Sequence, residues 1–265
     1  MFLEAIAPVA SGFDWLDPQQ VRDYLDEQQP NLIVNTLGWS DDGKLTTESN
    51  LLSPLAVLIE QCTHRDLVLL QLSSYRVFDG TKSGFVESDE VVPRDECGRL
   101  HWLAEQMAAQ LPSHLILRLS WVVGASGENL LTHLLEPVVA GETAAIVGER
   151  RGSPVGHTDI ARVINALAKQ IASGSENWGV FHYSAGDVCT EEEFAAELCQ
   201  RLADKGFDLG KVEDISGGAA DPISAALGYR RLMDNFGIQP RTWRQTLTAE
   251  LNRWLADHPS FGQGI

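Results

Sequence analysis

Cys97 and His101 stand four positions apart in the segment PRDECGRLHWLAE, residues 93–105, so on a helix a thiol and an imidazole would share one face. Three readings fit that pair. It can be a thiolate–imidazolium nucleophile, or two ligands of a metal site whose remaining ligands stand at no useful spacing. It can also be two neutral substitutions at a position that has no chemistry. Arg150-Arg151 set two guanidinium groups side by side in an acidic chain. Such groups suit a diphosphate, and equally suit surface ion pairs. Ser74-Tyr75 bring a hydroxyl and a phenol together; Tyr75 reads either as a proton donor or as an aromatic that fills space. Asn129, Trp121 and Tyr183 complete the candidate binding set, with helix capping the alternative for Asn129 and a core position the alternative for the two aromatics. Arg118 reads also as a strand-end ion pair, Asn35 and Asn50 as loop holders, and His182 as a core histidine.

These side chains need a scaffold, and the chain alternates short apolar runs with longer amphipathic stretches, the pattern of an α/β protein. Strands are predicted over residues 2–9 (FLEAIAPV), 31–36 (NLIVNT), 66–73 (DLVLLQLS) and 115–120 (LILRLS), with shorter ones at 144–147 and 180–184. Asp17-Pro18 opens a helix as N-cap and first helical residue. Further helices are expected over 50–63, 93–110, 128–140, 158–173, 190–205 and 241–257, and residues 206–222, rich in Gly, Asp and Ala, read as a loop.

The 265 residues suffice for a large core, in one large domain or two coupled ones. A formal net charge of −17 argues against nucleic acid and anionic membrane surfaces as partners. A local arginine cluster can still reverse the field inside one cleft. The four cysteines lack metal-type spacing. The start of the chain has no basic, apolar leader and no stretch spans a membrane, so the cytoplasm is the expected location.

Several strings, in order, resemble the dTDP-4-dehydrorhamnose reductase family (RmlD-like, sugar-nucleotide-binding) of the extended short-chain dehydrogenases. Residues 73–80 (SSYRVFDG) are similar to that family's S-T-D-Y-V-F-D-G, and residues 118–129 (RLSWVVGASGEN) to its R-T-S-W-V-Y-x-x-x-G-x-N. Residues 152–154 (GSP) with Asp159-Ile160-Ala161, residues 179–182 (GVFH), residues 190–195, and the tail with Leu232, Phe236-Gly237 and Trp243 follow in sequence. The resemblance runs from about residue 13 to residue 255. It implies a Rossmann-like doubly wound parallel sheet over residues 1–124 and a smaller C-terminal sugar-nucleotide lobe over 125–265, with some segments returning to the first region. It also implies reduction of a 4-keto sugar nucleotide by NAD(P)H.

Three departures qualify that activity. Residues 2–9 align with the family's second strand and residues 13–21 (FDWLDPQQV) with its D-x-x-D-P segment, so the resemblance implies an N-terminally truncated member without the usual first strand and Gly-rich phosphate loop. The family's catalytic Tyr-x-x-x-Lys falls on Cys97 and His101, in a register held by Pro93, Gly98 and Glu105. Its Thr-Asp falls on Ser74 and Tyr75. The expectation is a catalytically degenerate, cytoplasmic pseudoenzyme: no catalytic residues, no bound NAD(P), no metal, and Asn129, Arg150, Arg151, Trp121 and Tyr183 binding a nucleotide sugar. A protein partner or a homo-oligomer would then carry a regulatory role. The alternative is an active NAD(P)-dependent sugar-nucleotide reductase or epimerase, from a longer native chain or with relocated catalytic groups. Under a third reading, Cys97 serves a hydrolase or transferase.

Overall fold

The computed structural model describes residues 4–8, 12–38, 46–216 and 224–259. Four apolar runs, β1 (Leu32–Asn35), β2 (Val68–Ser74), β3 (His114–Leu119) and β8 (Gly179–Tyr183), form one parallel sheet in the order β1-β2-β3-β8. Their side chains alternate between two covered faces, as a parallel sheet requires. Leu69, Ile116 and Val180 meet α2 (Ser53–Arg65) and α3 (Glu96–Ala108) through Leu55, Leu100 and Ala104. Leu70, Leu115, Leu117 and Phe181 face the opposite way, toward α5 (His157–Ala172) and α7 (Arg230–Phe236) through Ile160, Val163, Leu167 and Leu232.

A second apolar core joins α4 (Leu130–Val139), α6 (Glu191–Asp204), α8 (Trp243–Asp257) and β5 (Thr143–Ile146) around Leu134, Phe194, Leu198, Trp243 and Leu247. Short pairings stitch this part together. β4 (Val122–Val123) pairs with β7 (Val155–Gly156), and β6 (Arg151–Gly152) pairs antiparallel with β9 (Cys189–Thr190).

The expected helices form, and several start on a side-chain cap. Asp17 caps α1 (Pro18–Gln28) by accepting from the Gln19 and Gln20 N–H groups, with Pro18 opening the helix. Asp95 caps α3 through the Gly98 N–H at 2.7 Å. Two expectations fail. Residues 4–8, within the stretch expected as a strand, lie in no strand, and residues 1–3 and 9 fall outside the described residues. Pro8 has no N–H to give a ladder, and Ile6, the large apolar side chain among them, is 45% exposed, so this stretch has no face to bury. The loop expected at 206–222 instead contains β10 (Lys211–Asp214), parallel to β5. Its charged side chains point to solvent and Val212 alone packs inward, so the strand leaves no apolar alternation to read.

At the C-terminal ends of β2, β3 and β8 a polar network replaces apolar packing. Arg118 and Glu105 form a two-pronged ion pair, Nε to Oε1 at 2.8 Å and Nη2 to Oε2 at 2.6 Å, with both side chains fully buried. Ser73 donates to Glu105 Oε1 at 2.6 Å. His182 lies 3.4 Å from Arg118 Nη1, and its Nδ1 bonds the Phe85 carbonyl at 3.1 Å. Asn35 belongs to the neighbouring layer, donating to Gln71 Oε1 at 2.7 Å. Asn50 closes a capping box with Thr47 ahead of α2. Gly98 lets α3 lie against the turn after β2, since a Cβ there would stand 2.1 Å from the Arg76 carbonyl oxygen.

Removing one partner of the pair leaves the other charged and buried. Arg118→Met should therefore cost about 3–5 kcal/mol, and the double variant Glu105→Leu/Arg118→Met should recover much of that loss. Urea unfolding of the wild type, both single variants and the double variant measures it; a double variant as unstable as the sum of the singles would contradict the account.

Candidate functional site

A cleft of about 910 Å3 lies where the polypeptide leaves the ends of β2 and β3 and enters the second core. Its floor is the turn Ser74–Arg76, reached directly from β2. Ser74 begins the turn by accepting the Arg76 N–H at 3.3 Å, and Arg76 is held by Asp95 at 2.7 Å. One wall is Trp121, just past β3. Its ring lies on the backbone of Gly152, where a Cβ would fall 2.2 Å from the indole, which accounts for the glycine in the GSP segment. A second wall is the start of α4, and the third is the end of β5 with Arg150 and Glu191.

Asn129 both lines this cleft and builds it. Its Oδ1 accepts from the N–H groups of Gly124, Leu131 and Thr132, and its Nδ2 donates to the carbonyls of Gly124, Ser126 and Gly127. Every polar atom of the side chain is thus engaged in holding the loop and capping α4, as the capping alternative expected. Arg150 donates from Nη1 to Glu191 Oε1 at 3.0 Å, and the other oxygen of Glu191 accepts the Val147 N–H at 2.8 Å. Glu191 is 7% exposed and Arg150 42% exposed, so a buried carboxylate presents a half-open guanidinium.

The cleft brings together Trp121, Asn129 and Arg150 with Ser74 and Tyr75, but not the rest of the candidate set. Arg151 sits in β6 with its side chain exposed, outside the cleft lining. Neighbouring residues of an extended segment point to opposite sides, so one of two adjacent arginines can face a given cleft. Tyr183 is buried in the sheet core, its hydroxyl donating to Asp159, which Arg162 also holds. Cys97 and His101 lie on α3 beneath the turn and do not line the cleft. Sequence reasoning missed Glu191, which is the first of three consecutive glutamates at a helix start, and Arg76, which stands where the family string has Tyr.

His101 is wholly buried, and neither ring nitrogen has a hydrogen-bond partner among the described residues. Burial, reinforced by the Arg76 charge, lowers its pKa from 6.5 to about 4. Burial also raises the Tyr75 phenol above its ordinary value, while the nearby charges of Arg76 and Arg150 oppose that rise. Among the described residues no group of three His, Cys, Asp or Glu side chains is arranged to hold a metal. No described helix is long and apolar enough to cross a membrane.

A parallel sheet covered on both faces, a helical second core and a cleft where the two meet define an α/β protein of Rossmann-like type. The chain belongs to the family described as the RmlD substrate binding domain, which matches residues 3–255. It is 26% identical over 259 residues to a dTDP-4-dehydrorhamnose reductase of Aggregatibacter actinomycetemcomitans, covering 92% of this chain and 88% of that protein. It is 29% identical to the dTDP-4-keto-6-deoxy-D-glucose reductase of Streptomyces niveus, covering 92% and 86%. In fold it is similar to a dTDP-4-dehydrorhamnose reductase from Clostridium acetobutylicum, with a TM-score of 0.76, 23% identity and 91% and 86% of the two chains covered. A Bordetella bronchiseptica enzyme, WbmG, solved in complex with NAD and UDP, aligns with a TM-score of 0.77 at 16% identity over 95% and 82%.

The buried histidines make stability depend on pH. His101 stays neutral in the fold down to about pH 4, and His182, lowered chiefly by burial, down to about pH 3. The unfolded chain takes up these protons near pH 6.5. The unfolded state thus holds more protons below that value, and stability is lost as pH falls from 6.5 through 4. His101→Leu should flatten the slope in this window by on the order of 1 kcal/mol per pH unit. Urea unfolding at pH 7, 5.5 and 4.5 reads this directly, and a variant with the wild-type slope would mean that His101 is not held neutral.

Proposed function

We propose that the protein binds a nucleoside diphosphate sugar in the cleft between the Ser74–Arg76 turn, Trp121, the start of α4 and Arg150. The observation that carries this reading is Arg150 itself, a guanidinium fixed by the buried Glu191 at the cleft wall while much of it stays open. A diphosphate oxygen would receive charge-assisted bonds there, and Trp121 offers a flat apolar surface to a base or sugar. Family membership and the dTDP-sugars for which these relatives are named support the ligand class.

The finer reading concerns turnover. The relatives' reductase activity implies a nicotinamide dinucleotide, and the described residues fit one poorly. The position of the family's lysine holds His101, buried and neutral, and that of its tyrosine holds Cys97. We therefore propose binding without hydride transfer, a pseudoenzyme that acts through a protein partner or a second copy of itself. The second reading is an active NAD(P)-dependent sugar-nucleotide reductase or epimerase whose catalytic groups stand elsewhere. The comparisons favour it, because the relatives named above are reductases.

Calorimetry and thermal shift with dTDP- and UDP-sugars test the binding. At a hundred times its dissociation constant a ligand should stabilise the protein by about 2.7 kcal/mol. Arg150→Ala should weaken binding about 10- to 100-fold, the worth of one charge-assisted bond, whereas Arg151→Ala should leave it unchanged. NADPH oxidation with a dTDP-4-keto-6-deoxy sugar separates the two readings: no turnover is expected, and steady turnover would establish the second.

A further inference from the structure

A second cavity, of about 400 Å3, opens on the outer flank of α3 and shares no lining residue with the cleft. Its floor is the sheet, with Ile116 of β3 and Val180 of β8 beside the buried Glu105–Arg118 pair. Trp102 of α3 makes one wall, half-buried and packed on the cluster of Val77, Phe78 and Phe85. The segment that follows Phe85 makes the other wall. The cavity is therefore apolar and aromatic along its sides and polar at its mouth, the make-up of a small-molecule site.

The charges around it give the ligand's sign. Glu105 and Arg118 neutralise each other. Asp89 is held by Lys82 at 2.6 Å and also accepts the Val86 N–H. Glu87 and Glu90, by contrast, have no cationic partner among the described residues. The two differ in freedom. Glu90 is exposed, whereas Glu87 is half-buried and fixed, because its Oε1 accepts the His182 N–H on the outer side of β8 at 2.9 Å. That bond takes up an edge N–H of the sheet and leaves the second oxygen of Glu87 without a partner among the described residues. A carboxylate anchored by one oxygen beside a concave apolar surface is an acceptor of fixed position for a cation. The Trp102 ring in the same cavity adds a face that attracts cations.

We propose that this cavity is a second ligand site, for a small organic ammonium ion. The ammonium group donates to Glu87, Glu90 adds to the field at the mouth, and the apolar body lies on Trp102 over Ile116 and Val180. An anion entering here would meet two unpaired carboxylates, so this site and the cleft with its Arg150 guanidinium select opposite charges. The net charge of −17 adds a field of the same sign. The inference stands apart from the nucleotide-sugar reading of the cleft and does not depend on it.

The test titrates the intact protein with benzylammonium and with benzyl alcohol, its neutral counterpart. In isotope-labelled protein, the indole N–H resonance missing from Trp102→Phe reports the cavity. It should shift saturably with benzylammonium, with a dissociation constant on the order of 1 mM, and benzyl alcohol should bind at least about 5-fold more weakly. Added salt should weaken the ammonium alone. Glu87→Gln keeps an oxygen for the His182 N–H and removes the charge. It should weaken benzylammonium about 5-fold and leave benzyl alcohol unchanged, and Glu90→Gln, on an exposed side chain, should cost about 2-fold. The comparison of the two probes on the wild type needs neither glutamine variant, so it decides even where one fails to fold. Equal binding of the two probes, or a Glu87→Gln variant with wild-type affinity for benzylammonium, overturns the ammonium assignment. No saturable shift up to about 20 mM benzylammonium overturns the site itself.

Discussion

The ion pair between Glu105 and Arg118 is the contact on which the rest of the functional end of the molecule depends. Two charges out of water are stable only when their geometry is good and their remaining lone pairs and protons are used. Here the Ser73 hydroxyl and the His182 ring complete the set, so β2, β3, β8 and α3 meet at one polar point. The segment leading from Phe78 to Phe85 joins them, since Arg118 lies 5.0 Å from the Phe78 ring centre and His182 bonds the Phe85 carbonyl. The turn that floors the cleft begins one residue after Ser73, and its orientation is inherited from this junction.

Much of the fold was legible because it is written in apolar periodicity. Residues 66–73 and 115–120 alternate into two covered faces, and the helix starts at Asp17-Pro18 and Asn129 carry caps that the residue types announce. β10 was not legible, because it pairs through its backbone with β5 and packs only Val212 against the core. The site was legible in part. Asn129, Trp121 and Arg150 fall on the cleft, whereas Tyr183 donates its hydroxyl inward to Asp159 and Arg151 turns away. The partnership of Arg150 with Glu191 joins residues 41 positions apart, and nothing local singles out the first glutamate of a run of three.

On the proposed reading, the charge balance of the cleft accounts for an anion site in so acidic a chain. Its guanidinium groups are each held by a carboxylate, Arg76 by Asp95 and Arg150 by Glu191. Such pairing fixes the direction of a long, flexible side chain before any ligand arrives, which lowers the ordering cost of binding. It also means that an incoming phosphate shares its cation with a resident carboxylate. The cleft therefore suits ligands that bring further contacts along with their charge, as a base and a sugar do.

Gly98 adds a kinetic property to this arrangement. With the backbone of α3 resting on the Arg76 carbonyl at a distance no side chain would permit, the helix start and the turn cannot separate without opening the same gap. Their amides should exchange with solvent in one event, as a single cooperative unit rather than as a frayed helix end beside an independent loop. A molecule seated on the turn would then slow exchange along the first turn of α3, one backbone layer away from anything it touches.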